Sequence, residues 1–214
     1  MKLLKSIKDD GLIVIIRNIS DEDLIEVVES AYRGGARVFE VSLNQEQSYQ
    51  QIKKLKEYFT NKDVLIGAGT VTNKEKAIKS HQLNADFFLT PGICKEVLDY
   101  SKEFKIPIIP GVFSPSEFQY CIENELKLLK LFPANSVKMN YIKNLRGPYN
   151  DFDVMAVGGV TEENLDEFLE AGHIGVGMGS SLLKKDDIKE KKWINIEERV
   201  KRVKEKIILY NKRK

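Results

Sequence analysis

The chain of 214 residues contains little of the chemistry that often reveals function: it has two cysteines, two histidines and one tryptophan. Cys94 and Cys121 are too few for a disulfide framework, and free thiols are typical of a reducing compartment, so we expect a cytoplasmic protein. His81 and His173 stand alone, and no group of Cys, His and Asp has the spacing of metal ligands. The sequence therefore predicts no metal site.

Long hydrophobic runs and a charge excess of either sign are also absent. The longest apolar run, Leu12–Ile16, is far too short to span a bilayer, and no cleavable signal precedes it. The formal net charge is only +2, which gives no reason to expect nucleic acid or a membrane as a partner. We interpret the basic stretches 184–192 and 211–214 as a solvated loop and a solvated end.

Short apolar segments alternate with helical patterns along the whole chain. The predicted strands are 12–16, 38–42, 64–68, 87–90, 106–110, 128–132, 154–157 and 174–178, and the predicted helices include 46–59, 96–104, 115–123 and 162–171. A further helix is predicted to begin at the capping pattern Ser20–Asp23. Strands that alternate with helices pair in parallel.

Eight such units predict an α/β protein, a (β/α)₈ TIM barrel, as one domain over residues 1–214. A short amino-terminal helix, 2–8, and a closing helix, 196–210, complete the prediction. A doubly wound open sheet is the rival fold, but no GxGxxG motif follows the first strand to support it.

Lys130 is the most unusual residue in a predicted strand, because it interrupts the apolar run LLKLF that Pro133 closes. Low dielectric disfavours an ammonium group and lowers its pKa. A neutral amine is a nucleophile that forms Schiff bases with ketones. The alternative is that Lys130 faces solvent or extends its charge out of the barrel.

Other polar residues and glycines stand where predicted strands end, and a barrel collects its chemistry at that end. Glu40 lies within the second strand, either as a structural partner for a buried cation or as an acid/base beside Lys130. Gly158–Gly159 ends the seventh strand and Gly179-Ser180 the eighth. Phosphate sites of barrels often lie there, since backbone N–H groups approach the anion closely at glycines.

With these residues in place, the chain resembles the 2-keto-3-deoxy-6-phosphogluconate aldolases, also called keto-hydroxyglutarate aldolases, from about residue 12 to residue 183. The ordered segments that carry the resemblance are FEVSL (39–43), IGAGTV (66–71), TPG (90–92), IIPGV (108–112), LKLFPA (129–134), VGGV (157–160) and GS (179–180). Each segment is weak alone, whereas the ordered set at barrel spacing is specific.

The resemblance implies a class I aldolase without a cofactor, usually a homotrimer, whose partners are a phosphosugar acid and pyruvate. It implies Lys130 as the Schiff-base lysine and Glu40 as the general acid/base. Its substrate-binding residues would be Arg17, Thr70, Pro91, Phe132 and Val157, and its phosphate-binding residues Gly158, Gly159, Gly179 and Ser180. The implied reaction is reversible cleavage to pyruvate and glyceraldehyde 3-phosphate, with 4-hydroxy-2-oxoglutarate, cleaved to pyruvate and glyoxylate, as a candidate second substrate.

The chain departs from the family pattern at three places. Asn44 stands where many members have a carboxylate-binding arginine, and Arg17 is the candidate substitute. Val157 and the segment Ser42–Asn44 resemble the 2-keto-3-deoxy-6-phosphogalactonate branch. Lys138 and Met139 replace a smaller turn, for which we have no account. A phosphosugar isomerase or epimerase, or a non-catalytic phosphosugar-binding barrel, remain the alternatives.

Overall fold

The computed structural model describes residues 2–213 and shows one nine-stranded parallel sheet, in the order β5-β4-β3-β2-β1-β9-β8-β7-β6. The strands are β1 Leu12–Ile16, β2 Val38–Ser42, β3 Leu65–Gly69, β4 Phe88–Leu89, β5 Ile108–Ile109, β6 Gly111–Val112, β7 Leu128–Leu131, β8 Asp153–Val157 and β9 Gly175–Met178. β5 and β6 are one barrel strand interrupted at Pro110, which has no N–H to donate. The sheet therefore occupies eight barrel positions, which confirms the predicted (β/α)₈ barrel.

Helices lie on the outside of the sheet and return the chain between parallel strands. They are α1 Lys2–Asp10, α2 Leu24–Arg33, α3 Gln47–Tyr58, α4 Lys74–Gln82, α5 Lys95–Phe104, α6 Pro115–Glu123, α7 Tyr141–Leu145, α8 Leu165–Glu170, α9 Lys185–Lys189 and α10 Trp193–Asn211. A 3₁₀ turn, Ala134–Ser136, follows β7. None of the helices within residues 2–213 is long and apolar enough to cross a membrane.

Two apolar clusters hold the barrel together. The larger cluster fills the space between the outward faces of the strands and the helices, and it includes Phe39, Leu129 and Val200. The smaller cluster fills the barrel interior and consists of Ile7, Ile13, Val38, Phe87, Leu89, Ile109, Leu128 and Met155. Ile7 comes from α1, so this helix closes the amino end of the barrel.

The predicted strands agree with the structure to within two residues at each end, but two local predictions need correction. Residues 184–192, interpreted as a solvated loop, contain α9, and Asp187 on this helix is buried in an ion pair with Arg199 at 2.7 Å. The helix predicted to begin at Ser20–Asp23 begins only at Leu24. The Ser20 hydroxyl donates to the Asp23 carboxylate and accepts from the Asp23 N–H, but these bonds lie in a turn that precedes α2. Two helices, α4 and α7, lie outside the helical ranges predicted from the sequence.

Candidate active site

Strand alternation brings the unusual polar side chains into the barrel. Successive residues of a strand face opposite sides of the sheet. Val38 lies in the interior cluster, so Glu40 and Ser42 face the same way along β2. Leu128 lies in the interior cluster as well, and Lys130 follows it on β7. The interior is thus apolar at its amino end and polar towards its carboxyl end.

Lys130 is the one buried lysine among the residues whose burial the structure describes, with 6% of its surface exposed. Its Nζ lies 4.6 Å from the centre of the Phe132 ring, which is a cation–π distance. Burial lowers the pKa of Lys130 to about 8, against the opposing effect of Glu40, while the charge of Arg17 lowers it further. About a tenth of such lysines are neutral at pH 7, against about one in 3,000 for an ordinary lysine.

Glu40 is almost fully buried and lies in the electrostatic field of Lys130 and Arg17. Burial raises the pKa of Glu40 to about 7, although both cations oppose the rise. Its carboxyl occupies the space above Gly69 on β3, where an added Cβ would stand 1.1 Å from Oε1. Within the described chain no ion pair or hydrogen bond joins Glu40 to Lys130, although each affects the pKa of the other, so each keeps hydrogen-bonding capacity for a third group.

A hydroxyl chain lies at the ends of β1, β2 and β3. The Oγ of Ser42 and the Oγ1 of Thr70 are 2.8 Å apart, and Arg17 Nη2 donates to Ser42 Oγ at 3.4 Å. Thr70 has a φ of +58°, which is a rare conformation for a β-branched residue. Such conformations cluster at functional sites, where the surroundings maintain them.

The two glycine loops meet around a cavity of about 640 Å³. Gly158 and Gly159 have φ values of +98° and +74°, which turn the chain sharply after β8. Ser181 Oγ donates to the carbonyl of Val160 at 2.8 Å and so ties the two loops together. In the described chain, the N–H groups of Gly159 and Ser180 have no protein acceptor, so they are available to an anion.

The structure brings most of the predicted residues to one place. Those that line the cavity are Arg17, Phe132, Val157, Gly158, Gly159, Gly179 and Ser180. Glu40, Lys130 and Thr70 are not part of that lining and form the adjoining polar region of the barrel interior. Pro91 does not line the cavity either. The turn that contains it is held by Thr90, whose Oγ1 donates to the Gly92 carbonyl and accepts from Gly111 N.

Sequence reasoning missed several residues of this region. Lys185 and Lys189 of α9 line the cavity and add positive charge to it. Their i, i+4 spacing was a usable signal, but a charge run indicates a solvated face more often than a site. The link from Ser42 to Thr70 had no sequence signal, because it depends on the register of β2 and β3. No cluster of three metal-ligating side chains occurs among residues 2–213.

The fold and this cluster define a class of protein, the (β/α)₈-barrel enzymes whose reactive groups lie at the carboxyl ends of the strands. Residues 4–199 match the family model described as KDPG and KHG aldolase. The chain belongs to this aldolase family and is therefore a carbon–carbon lyase.

Individual relatives agree with the family model. The 2-dehydro-3-deoxy-6-phosphogalactonate aldolase of Escherichia coli K12 is 33% identical over 80% of this chain and 83% of its own length. The 2-dehydro-3-deoxy-phosphogluconate aldolase of Haemophilus influenzae is 27% identical over 94% of this chain and 95% of its own. KDPG aldolase from Legionella pneumophila, crystallised with pyruvate captured as a covalent carbinolamine intermediate, has a TM-score of 0.83 at 29% identity, over 91% and 94% of the two chains.

Proposed function

We propose that the protein is a class I aldolase that cleaves a 2-keto-3-deoxy-6-phosphosugar acid reversibly to pyruvate and glyceraldehyde 3-phosphate. The single observation that carries the proposal is the buried Lys130 at the carboxyl end of β7, with its lowered pKa and with Glu40 beside it. The matched KDPG and phosphogalactonate aldolases support this substrate class.

Lys130 supplies the nucleophile. Neutral Nζ attacks C2 of the ketone to give a carbinolamine, and a proton from the Glu40 carboxyl allows water to leave as the protonated imine forms. The Legionella enzyme, in which pyruvate is captured as a carbinolamine, supports this first step. Covalent attachment divides a difficult bond cleavage into easier steps, because the iminium accepts the electrons of the breaking bond.

Glu40 then acts as the base. Its carboxylate, through one bound water, accepts the proton of the C4 hydroxyl as the C3–C4 bond breaks and the iminium becomes an enamine. Glyceraldehyde 3-phosphate leaves, C3 is protonated, and water hydrolyses the imine to release pyruvate and Lys130. A pKa near 7 suits a group that both donates and accepts protons at neutral pH, and such assistance is typically worth about 10²–10⁴-fold.

The remaining residues hold the two ends of the substrate. Arg17 and Thr70 bind the pyruvate carboxylate, supported by the hydroxyl chain that joins them through Ser42. Gly158, Gly159, Gly179 and Ser180 bind the distal phosphate through N–H groups and a hydroxyl. Phe132 and Pro91 complete the substrate pocket. All four phosphate-site residues line one cavity, and Arg17 lines it too, so the phosphate subsite and the carboxylate subsite adjoin in this proposal.

Val157 determines the preferred C4 configuration in this proposal. Its buried aliphatic side chain offers no hydrogen bond to a C4 hydroxyl, which is a feature of the phosphogalactonate branch. The 33% identity to the phosphogalactonate aldolase supports the same branch. Side-by-side kcat/KM values for the two C4 epimers test this, and a strong preference for the gluconate form would contradict it. 4-Hydroxy-2-oxoglutarate belongs in the same assay, since the family model also covers KHG aldolases.

The central experiment is borohydride reduction in the presence of pyruvate. The proposal predicts one stable adduct, located on Lys130 by peptide mass spectrometry, and release of pyruvate from the phosphosugar acid in a coupled lactate dehydrogenase assay. A phosphosugar isomerase would give neither result, and a binding protein would show saturable ligand binding without pyruvate release. Loss of the adduct in Lys130→Met completes the assignment.

The assembly and location of the protein follow the family in our proposal. We propose a homotrimer. Two large apolar side chains, Phe113 and Met139, are 40% and 38% exposed and would be covered by a second copy of the chain. The hydroxyl of Tyr141 donates to the Phe113 carbonyl and so joins the two loops that carry them. Light scattering of the purified protein measures the mass. The free thiols of Cys94 and Cys121 support a cytoplasmic location. We also propose that residues 1–214 form a single barrel domain.

A further inference from the structure

Thr70 has a backbone conformation that its own side chain disfavours. Its φ of +58° is left-handed, a conformation that is unfavourable for a β-branched residue. Other groups must therefore hold Thr70 in place. One of them is Ser42, at 2.8 Å from the Thr70 hydroxyl, but a hydroxyl partner fixes the side chain rather than the peptide.

Lys76 holds the Thr70 peptide directly. Its Nζ donates to the carbonyl of Thr70 at 3.2 Å and to the carbonyl of Leu43 at 3.0 Å. The first carbonyl follows β3 and the second follows β2, so one ammonium group fastens two neighbouring strand ends. Both hydrogen bonds are charge-assisted, and these are stronger than bonds between neutral groups.

The position of Lys76 is itself fixed by the chain around it. It lies in the first turn of α4, and its backbone N–H donates to the side chain of the N-cap residue Asn73 at 2.9 Å. Lys76 is half-buried, and within residues 2–213 no carboxylate lies within ion-pairing distance of it. Its charge is therefore directed to backbone oxygens at the site and is not neutralised by an acidic side chain.

We infer that Lys76 is a positioning residue, which keeps the Thr70 hydroxyl directed at Ser42 and Arg17 and so shapes the subsite for the substrate carboxylate. The inference rests on the proposed function, because it assigns Lys76 to the same site. Lys76 is not part of the apolar pattern of α4, and it lies outside the sequence segments that carry the family resemblance.

The test compares Lys76→Met with Lys79→Met, a control on the same helix whose exposed lysine pairs with Glu75 at 3.1 Å and lies 5.4 Å from the centre of the Tyr49 ring. Borohydride trapping is measured as a function of pyruvate concentration. In Lys76→Met we expect the half-saturating pyruvate concentration to rise about tenfold, the effect of a lost hydrogen bond from a charged donor. The trapping rate at saturation should stay within about twofold, because Lys130 is untouched. The control should match the wild type.

A double-mutant cycle distinguishes positioning from a general loss of stability. Thr70→Ala alone should raise the half-saturating concentration, and adding Lys76→Met to it should then change the value by less than about twofold, because the lysine acts through Thr70. Lys76→Arg, which keeps charged donors, should recover most of the wild-type behaviour. If Lys76→Met does not fold, Lys76→Gln replaces it: the neutral amide removes the charge, so the half-saturating concentration should still rise, by a smaller factor, and an unchanged value would overturn the inference.

Three results would overturn the inference. An unchanged half-saturating concentration in Lys76→Met would do so, and so would effects of Lys76→Met and Thr70→Ala that multiply independently. Either would leave the aldolase proposal intact, since the wild type would still form the adduct. If the wild type itself formed no adduct with pyruvate, the proposed function would fail and the inference would fail with it.

Discussion

The two ends of the barrel are built on opposite principles. At the amino end, Ile7 of α1 packs among Ile13, Val38 and Met155, and the charged pair Lys8–Asp153 lies at the surface, with both side chains at least one-third exposed. At the carboxyl end, Glu40 and Lys130 are buried without a direct ion pair between them. The first arrangement minimises free energy, whereas the second retains groups whose hydrogen-bonding capacity is unused.

The backbone shows a related contrast in residue type. Positive φ values before the amino ends of the strands fall on glycine, asparagine, lysine or glutamate, as at Gly11 and Asn84, whereas at the carboxyl end Thr70 is the one β-branched residue with a positive φ in the described chain. A fold departs from local preferences mainly at functional sites, and the rest of the structure compensates for the cost. The comparison predicts that changes at the carboxyl end reduce turnover with little loss of stability, and that changes at the amino end do the reverse.

The largest effect on turnover is expected for Lys130→Met. Methionine fills a similar volume without the amine, so turnover should fall by at least about 10⁴-fold, as for loss of a covalent nucleophile. The midpoint of thermal unfolding should change little, because the cost of burying the ammonium group is removed and Glu40, whose pKa Lys130 lowers, can take up a proton once that charge is gone. Pyruvate release and differential scanning calorimetry measure the two quantities. Near-normal turnover would disprove the nucleophile assignment, and a large loss of stability would break the comparison.

Glu40→Gln is expected to have the next largest effect, a fall in turnover of about 10²–10⁴-fold, because proton transfer loses its carrier. Some imine should still form, and its pH dependence gives a sharper test. The negative charge of Glu40 raises the pKa of Lys130, and this pKa is about 8 in the wild type. Removing that charge should therefore shift the pH midpoint of borohydride trapping to lower pH. An unchanged midpoint would mean that the two groups are not coupled, and a shift to higher pH would contradict the expected direction.

Gly69→Ala tests whether the position of Glu40, and not only its presence, matters. An added Cβ would stand 1.1 Å from Glu40 Oε1, so the carboxyl must move. We expect turnover to fall about 10²-fold, the effect of a small misplacement of a catalytic group. Gly67→Ala is the matched control two residues earlier on β3, where the Cβ would meet the Phe87 ring at 2.4 Å. It should cost about 1–3 kcal/mol of stability by overpacking and leave Glu40 in place. Equal losses of turnover in the two variants would contradict this.

Two carboxyl-end residues, Lys130 and Gly69, differ in how far the sequence reveals them. Lys130 could be predicted because a lysine within an apolar strand is unusual, and the eight apolar runs could be predicted because alternating elements have a clear pattern. The role of Gly69 could not, because it depends on where the Glu40 side chain folds across the β2–β3 pair. The helix α9 could not be predicted, because four of its five residues are charged and so show no helical spacing of apolar residues. Its cavity-lining residues Lys185 and Lys189 were missed for the same reason.

Ile7→Ala tests the amino end. The side chain is fully buried inside the barrel, so its truncation leaves a cavity that should cost about 2–5 kcal/mol of unfolding free energy. We expect kcat/KM to stay within about twofold of the wild type at a temperature where both proteins are folded. Urea denaturation and the coupled assay provide the two measurements. A large loss of turnover in folded Ile7→Ala would show that the two ends are not independent.

The smallest effect concerns His173, the buried titratable group of the amino end, which precedes β9. Its Nδ1 lies 2.9 Å from the Phe168 carbonyl oxygen, while its Nε2 has no partner among the described residues. Burial lowers the pKa of His173 to about 4 from 6.5, so the unfolded chain binds the proton more tightly.

The stabilising contribution of neutral His173 is therefore complete above about pH 6.5, and it is lost as the pH falls towards about 4, by at most about 3 kcal/mol. His173→Gln should remove this part of the slope when unfolding free energy is measured from pH 7 to pH 4. If His173→Gln kept the full slope, His173 would not be the group that couples stability to pH. Turnover of the folded variant should not change, because this group at the amino end serves packing and not chemistry.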